Sequence, residues 1–496
     1  MYKIRQIQYS ANSVSIQVYK VENRKRVIVK HIGTSRNAKE KSDLFQIAKQ
    51  YIQQLSKQIS LFEENTTARF LNLNQAEFIG IYYTFLYEVL SKVMKTIGFD
   101  ALNNKLLVDL AIIRIVEPAS KLRSIELLKD YFGISHRRQG YYEFTEHWKK
   151  LKEVVENNTI SYAKNHYDFK FDLLFYDVTT LYFETFTADE LREMGFSKDN
   201  KSQQPQILVA LMVTKEGFPI AYEIFTGNTF EGHTFIPSVK RLIAKHSIQT
   251  FTIVADAAMI SGDNIKELVE NELHYIVGAR MGNLSHSLID KIDRQITRED
   301  DYSIRFETKL GYLICSFSSL RYRKDKYEME KQIKKAMNIV ENPGKSKKLK
   351  FTTTKGKKIE LNQKLIDKTK KILGIKGYYT NLDEDVADNQ TIIQRYHELY
   401  KIEQAFRISK HDLQTRPIYH FTPDAIQLHL VTCVMALVVS KHIELQTKVS
   451  IKKFLTETKK VTDGRLINKI NDEEIRIRAK MSAATSKFLQ NLNLLT

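Results

Sequence analysis

The sequence predicts an α/β protein whose core is a mixed β-sheet, and two observations lead to this prediction. The middle of the chain carries short apolar runs of strand length that alternate with amphipathic helices. Hydrophobic residues make up 43% of the 496 residues, which is too apolar for a disordered chain and ample for a large core. At roughly 150 residues per domain, the length predicts about three domains or one core with large insertions.

The N-terminal part is predicted to hold a β-hairpin and then helices. Apolar and polar residues alternate in the predicted hairpin over residues 14–29. An amphipathic helix is predicted over residues 44–55. Residues 76–166 follow as a helical region, including a helix over 119–131 that Gly133 ends.

The mixed sheet is predicted between residues 172 and 277, in the order of three strands, a helix, a strand, a helix and a final strand. The predicted strands span 172–178, 206–213, 219–225, 250–255 and 275–277, and the predicted helices span 233–246 and 261–272.

The rest of the chain is predicted to interrupt and then complete this core. A long basic insertion contains a strand over 312–317 and an exposed loop over 343–348. One helix then spans about 389–412, and a buried helix spans 424–442. The predicted segments are 1–75, 76–166, 167–280 (first part of the core), 281–388 (the insertion), 389–442 (second part of the core) and 443–496 (a partly helical tail).

The charge of the chain indicates a polyanionic partner. It has 77 Lys and Arg against 58 Asp and Glu, for a net charge of +19. Nucleic acid is the first candidate, an anionic membrane surface is the second, and a merely basic soluble enzyme is the alternative. The lysines of the insertion fit a phosphate-contacting surface and a solvated surface equally well.

Several classes of protein are disfavoured by what the sequence lacks. Its two cysteines are too few for a disulfide scaffold or a Cys-rich zinc module and fit a reducing cytoplasm. The start of the sequence has no apolar signal region, and the longest apolar stretch, 425–440, is too short to cross a bilayer. No P-loop, dinucleotide-binding or zincin motif occurs.

Three carboxylates lie where a surface charge is not expected. Asp177 is inside an apolar strand, which is costly unless the charge is paired or binds a metal. Asp256 follows an apolar strand, at the sheet edge where α/β proteins usually bind ligands. Glu403 lies in the middle of a helix. Taken singly, each also has an ordinary explanation. Asp177 could accept a structural hydrogen bond, Asp256 could cap a helix, and Glu403 could be a solvated helix residue.

Taken together, an Asp on the first strand, an Asp after the fourth and a Glu on a late helix form the arrangement of an RNase H-like nuclease. Such sites hold two Mg²⁺ about 4 Å apart, which clamp the attacking and leaving oxygens of a phosphodiester. Mg²⁺ prefers hard oxygen ligands, so three carboxylates and the substrate phosphate suffice. Asp177, Asp256 and Glu403 are therefore the predicted catalytic and metal-binding residues, with two Mg²⁺ as cofactors and Mn²⁺ as a substitute.

The helix of Glu403 carries further candidates. Tyr396, Glu403 and Lys410 are spaced by seven residues, which brings them to nearly the same face of a continuous helix. Arg407 flanks this stripe. Tyr396, Arg407 and Lys410 are the predicted DNA-binding residues, with the cations on phosphates. The alternative is an amphipathic helix with incidental charges.

The sequence resembles bacterial insertion-sequence transposases of the DDE superfamily, in the group with a β-rich insertion before the final acidic helix. The likeness extends from the N-terminal hairpin to at least Ser440. The segments that carry it are 176–184 (YDVTTLYFE), 195–199 (GFSKD), 227–229 (GNT), 254–259 (VADAAM), 402–407 (IEQAFR) and 416–420 (RPIYH).

The resemblance also extends to a signature on the helix of the catalytic Glu, Tyr-x2-Arg-x3-Glu-x6-Lys. Tyr396, Glu403 and Lys410 match it in register. Leu399 stands where the group has Arg, which puts one phosphate contact in doubt, and Arg407 is the candidate to replace it.

The resemblance implies a transposase that cuts at the ends of its own element, frees a 3′-OH and joins it to target DNA. The alternatives are a catalytically inactive DNA-binding derivative and an RNase H-like nuclease that does not join. Double-stranded DNA is the implied partner, as terminal inverted repeats and as target, with a dimer on DNA and no membrane. A cytoplasmic, nucleoid-associated protein is expected. The candidates for recognising the repeats are residues 1–75, with basic residues such as Lys20, Arg24 and Lys30, and the helical region that follows them.

Overall fold

The computed structural model describes most of the chain. The described residues are 2–10, 13–22, 25–56, 76–197, 200–201, 203–246, 248–259, 261–341, 349–355, 358–469 and 472–495. The predicted loop over 343–348, Arg24, and residues 198–199 of one resemblance segment lie outside them.

The described elements are numbered in chain order. The strands are β1 (Tyr2–Ser10), β2 (Ser13–Glu22), β3 (Lys25–Ser35), β4 (Ala76–Tyr82), β5 (Leu173–Tyr182), β6 (Gln206–Val213), β7 (Pro219–Thr226), β8 (Thr252–Ala255), β9 (His274–Ala279), β10 (Ser303–Thr308), β11 (Gly311–Phe317), β12 (Thr352–Lys355), β13 (Lys358–Leu361), β14 (Ile375–Thr380), β15 (Asp463–Asn468) and β16 (Glu473–Arg478). The helices are α1 (Ala38–Ser56), α2 (Thr84–Ile97), α3 (Lys105–Val116), α4 (Lys121–Phe132), α5 (Trp148–Tyr167), α6 (Glu231–His246), α7 (Gly262–Glu270), α8 (His286–Gln295), α9 (Ser319–Glu341), α10 (Gln363–Lys371), α11 (Asn389–His397), α12 (Tyr400–Arg407), α13 (Pro423–Thr447), α14 (Ile451–Thr458) and α15 (Ala483–Asn491).

The chain divides into two compact units. The smaller unit comprises Met1–Leu90, Glu126–Ser135 and Lys453–Thr496. The larger unit comprises Ser91–Ile125 and His136–Lys452.

The smaller unit contains two three-stranded antiparallel sheets. The predicted hairpin is present as β2 and β3. Strand β1 also pairs with β2, so the three strands form one sheet instead of an isolated hairpin. Helix α1 packs its apolar stripe on this sheet. The buried residues of this contact are Ile16, Val18, Ile32, Leu44, Ile47 and Ala48. The second sheet has the order β16-β15-β4, so a strand opens the region predicted as helical.

The larger unit is built on one eight-stranded sheet with the order β10-β11-β14-β9-β8-β5-β6-β7. Strands β5, β6 and β7 are antiparallel neighbours, whereas β8 is parallel to β5 and β9 is parallel to β8. This order and these directions confirm the predicted RNase H-like mixed sheet.

The predicted basic insertion contributes to the same sheet. Strand β14 pairs antiparallel with β9, and β11 and β10 follow it. The predicted strand over 312–317 is thus β11, and it extends the core sheet. This pairing covers the edge of β9, which would otherwise expose unpaired backbone groups.

The prediction of one continuous helix over 389–412 is wrong. Helices α11 and α12 are joined by a tight turn, in which the amide of Leu399 donates to Tyr396 and that of Lys401 to Glu398. A π-helical turn, Ile408–Asp412, follows α12. Each change in hydrogen-bond spacing rotates the following residues about the axis. The seven-residue spacing therefore does not by itself place Lys410 on the face of Glu403.

The predicted buried helix is α13. It is long and apolar enough to cross a membrane by length and composition, but 89% of its most apolar window is buried inside the protein. The core helix of a soluble protein can have the same length and composition. This burial agrees with the core helix predicted over 424–442.

Candidate active site

Asp177 and Asp256 lie at matching positions on neighbouring parallel strands. Tyr176 on β5 is paired with Ala255 on β8, and each aspartate is the next residue of its chain. Adjacent strands lie about 4.8 Å apart, so this register brings the two backbones close together at the carboxyl end of β8. Asp177 is half-buried and Asp256 is exposed.

Tyr396 on α11 links the late helices to Asp256. Its hydroxyl donates a hydrogen bond to Asp256 Oδ1 at 3.0 Å. Burial raises the pKa of Tyr396, and the nearby carboxylate of Asp256 raises it further. The hydroxyl therefore stays protonated and remains a donor to Asp256. Glu403 also raises this pKa, so its carboxylate lies within electrostatic range of the tyrosine.

Lys376 on β14 is a site residue that the sequence did not reveal. Its ammonium lies 4.5 Å from the centroid of the Tyr396 ring. Burial lowers the pKa of Lys376 and the charge of Arg321 adds to this, whereas Asp256 and Glu403 raise it. A cation from the predicted insertion is thus within electrostatic range of two of the three predicted carboxylates.

Each of the three predicted carboxylates offers oxygen atoms to a metal ion. The Oδ1 atom of Asp177 accepts a hydrogen bond from the amide of Val178 at 2.7 Å. Helix α12, which carries the exposed Glu403, packs against β5. These are the oxygen donors that Mg²⁺ prefers. Among the described residues, no three His, Cys, Asp or Glu side chains are arranged to hold a metal together. The metal-binding role of the three carboxylates stays a prediction.

The predicted DNA-binding cations lie on α12 and on the turn after it. Arg407 is exposed, and Lys410 is half-buried in the π-helical turn. Burial lowers the pKa of Lys441, and the charges of Arg407 and Lys401 lower it further against the opposing effect of Glu444. Arg407 therefore belongs to a cationic neighbourhood.

A cavity of about 420 Å³ opens beside Asp256. Strands β9 and β14 and helices α9 and α10 form its walls, so most of its lining comes from the predicted insertion. Its charged lining residues are Asp256, Arg321, Asp325, Glu328, Lys350 and Lys376. The insertion thus shapes the space next to the carboxylates.

Gly278 on β9 allows the close approach of Tyr396. A Cβ atom at this position would lie 2.5 Å from the Tyr396 hydroxyl oxygen. We expect Gly278→Ala to lower the free energy of unfolding by about 1–3 kcal/mol, as overpacked positions do. In a Tyr396→Phe background, the same substitution should cost about 1 kcal/mol less, because the clashing atom is gone. Denaturant unfolding of the wild type, the two single variants and the double variant measures the cost of Gly278→Ala in both backgrounds.

Gly282→Ala is the matched control for this prediction, because a Cβ atom there meets nothing within 4 Å. Its cost should stay within about 0.5 kcal/mol. Equal costs of Gly278→Ala in the two backgrounds would contradict the contact between Gly278 and Tyr396.

Comparison with known proteins gives three findings. No curated protein matches the chain. Among solved structures, the chain is similar to the piggyBac transposase in the cryo-EM structure of its synaptic complex with hairpin DNA. The identity is 13%, the match covers 83% of this chain and 75% of that chain, and the TM-score is 0.37.

A family model described as the transposase DDE domain matches residues 168–439. The matched region begins just before β5 and ends within α13, so it includes the RNase H-like sheet, the predicted insertion and all three predicted carboxylates. Because the match covers more than half of the chain, the protein belongs to the transposase DDE domain family.

Proposed function

We propose that the protein cuts the ends of its own insertion sequence and joins the freed 3′-OH to target DNA by two-metal phosphoryl transfer. One observation carries this proposal: in a chain of the transposase DDE domain family, Asp177 and Asp256 follow directly paired residues of β5 and β8. Glu403 lies on a helix that packs against β5.

The carboxylates of Asp177, Asp256 and Glu403 would hold two Mg²⁺, with Mn²⁺ as a substitute. The bound ions supply Lewis-acid activation and stabilise the charge that develops on the attacking and leaving oxygens. Tyr396 holds one oxygen of Asp256 by its hydrogen bond and so orients the other. Lys376 offsets part of the repulsion among the carboxylates while the phosphate is absent.

The reaction has two displacements at phosphorus. Water attacks the phosphodiester at the end of the element, the P–O3′ bond breaks, and the element keeps the 3′-OH. That 3′-OH then attacks a target phosphodiester, a new P–O3′ bond forms, and the target strand leaves with its own 3′-OH. Positioning and electrostatic stabilisation account for most of the catalysis in such transfers.

The DNA partner is supported by charge. The chain has a net charge of +19, and Arg407 is exposed one helical turn beyond Glu403. We assign Arg407, Lys410 and Tyr396 to the DNA strand at the site, and residues 1–75 to the terminal inverted repeats. Two copies of the chain act on DNA, because two element ends are cut and joined together. They act in the cytoplasm, where the nucleoid lies.

The first test is removal of each carboxylate. We expect Asp177→Asn, Asp256→Asn and Glu403→Gln each to slow Mg²⁺-dependent cleavage of DNA carrying the element ends by roughly 10²–10⁴-fold, since each loses several kcal/mol of transition-state stabilisation. DNA binding should persist. A gel assay of cleaved and joined products measures the rates.

Glu184→Gln is the control for this test. Glu184 is exposed, follows Asp177 by seven residues and accepts a hydrogen bond from Gln204. Its removal should leave cleavage unchanged. Cleavage without joined products would favour the nuclease alternative, and a rate unaffected by all three substitutions would refute the assignment.

The second test concerns the phosphate contact of Arg407. We expect Arg407→Gln to weaken DNA binding and to reduce the slope of log affinity against log salt concentration by about one, because one phosphate contact is lost. Lys170→Gln removes an exposed cation that precedes β5 and pairs with Asp168, and it should leave the slope unchanged. An unchanged slope for Arg407→Gln would remove Arg407 from the DNA interface.

A further inference from the structure

A second cavity in the larger unit is lined by cations. Its volume is about 530 Å³, and the end of α3, the start of α4 and the segment after the π-helical turn form its walls. The lining residues are Arg114, Ala119, Ser120, Lys121, Leu122, Arg123, Tyr142, Gln414, Arg416, Pro417, Tyr419, His420 and His429. Four of these are Lys or Arg, and none of the described lining residues is acidic. The cavity therefore favours an anion.

Lys121 is the central cation of this cavity. The residue is only 8% exposed, and its ammonium nitrogen lies 3.3 Å from His429 Nδ1 and 5.3 Å from the centroid of the Tyr141 ring. Burial lowers the pKa of Lys121 to about 7, and the charge of Arg114 adds to this effect. Among the described residues, no carboxylate pairs with this ammonium. A buried ammonium without an anion is unfavourable, and a bound anion would relieve this cost.

Arg114 adds a second buried charge and fixes the wall. Its guanidinium donates to the carbonyl oxygens of Leu413, Gln414 and Ala119 at 2.9–3.1 Å. These bonds tie the end of α3 to both other walls of the cavity. They satisfy three of the five N–H groups, and no carboxylate among the described residues forms an ion pair with this guanidinium.

The two histidines of the cavity supply polar groups without adding charge. Burial lowers the pKa of His420 to about 3, and the charges of Lys121 and Arg114 contribute. Burial likewise holds the pKa of His429 well below its usual value. The first turn of α4 lines the cavity as well, and its backbone N–H groups favour an anion at the helix start.

The cavity lies along the strand that carries Asp177. The amide of Ile418 donates to the carbonyl oxygen of Tyr182 at 3.1 Å, and the Arg416 guanidinium lies 5.6 Å from the centroid of the Tyr182 ring. Tyr182 ends β5, five residues after Asp177, which is about 17 Å at 3.3 Å per residue. Measured along the axis of B-form DNA, this distance corresponds to about five nucleotides of one strand, at 3.4 Å each.

We propose that this cavity binds one backbone phosphate of the DNA strand whose cleaved phosphodiester lies at Asp177 and Asp256. The proposal rests on the proposed function and assigns a role to the segment 416–420, which that function leaves unused. The cavity is lined by cations, holds a buried ammonium and lies beyond the end of β5. Its charge and its position together favour a phosphate held a few nucleotides from the cleavage point. Free inorganic phosphate is the other source of the same chemistry.

A methylphosphonate scan tests the proposal with the full chain. Single phosphates on each side of the cleavage point are replaced by neutral methylphosphonates, and affinity is measured with Ca²⁺ in place of Mg²⁺. For the wild type, we expect one position, about five nucleotides from the cleavage point, to weaken binding about 10-fold or more, as the loss of a hydrogen bond to a charged group does. With Lys121→Met, the same position should change affinity less than about twofold.

Two further variants make the result specific. Arg123→Gln changes an exposed lining residue on the same helical turn and should also reduce the sensitivity of that position, in case Lys121→Met folds poorly. Lys170→Met removes an exposed lysine outside the lining and should keep the wild-type profile. Lys121→Met should unfold at no lower temperature than the wild type, because it removes a buried charge that pairs with no carboxylate in the described part of the chain.

The outcomes separate the two proposals. Identical profiles for wild type, Lys121→Met and Arg123→Gln would overturn the pocket, while Mg²⁺-dependent cleavage by the wild type would leave the proposed function standing. A flat profile, together with thermal stabilisation by millimolar inorganic phosphate that Lys121→Met abolishes, would make the cavity a free-phosphate site and overturn the DNA assignment. A wild type that neither binds nor cuts element ends would refute the proposed function and the pocket with it.

Discussion

The parallel pairing of β5 with β8 is the constraint on which the candidate site depends. It puts Asp177 and Asp256 directly after paired residues, so two carboxylates follow neighbouring backbones about 4.8 Å apart. Two carboxylates on neighbouring strands repel each other, and the fold must supply donors or cations to offset this repulsion. The hydroxyl of Tyr396 and the ammonium of Lys376 provide that compensation at Asp256. Each comes from a different later segment, so the site is complete only when the whole larger unit has folded.

The predicted insertion interrupts the core in the sequence, but in the structure it is a part of the core. Through β14 it pairs with β9, covers the sheet edge and carries Lys376 to the carboxylates. Its helices α9 and α10 wall the cavity beside Asp256. The sequence of this segment indicates a basic surface. In the structure, the segment supplies a positive charge to the site and shapes the cavity beside it. The cation-lined cavity around Lys121 lies in the same unit, and its segment 416–420 contacts Tyr182 at the end of β5.

Much of the core could be predicted because its strands are buried on both faces and appear as continuous apolar runs; β6 has the predicted bounds. The break between α11 and α12 could not be predicted, because Glu398 and Leu399 are not helix-breaking residues. Strand β4 was missed because it pairs with β15, almost 400 residues later, and has little alternation of its own. Lys376 was hidden for the same reason: only the pairing of β14 with β9 brings it to Asp256. Long-range pairing, which local periodicity does not encode, accounts for these misses.

The most direct test of the account is anomalous diffraction from crystals of the full chain grown with Mn²⁺ and a DNA duplex that carries an element end. The account predicts two manganese peaks about 4 Å apart, with the carboxylates of Asp177, Asp256 and Glu403 as ligands and a DNA phosphate between the ions. Manganese bound elsewhere, or bound without Glu403 while DNA occupies the site, would contradict it.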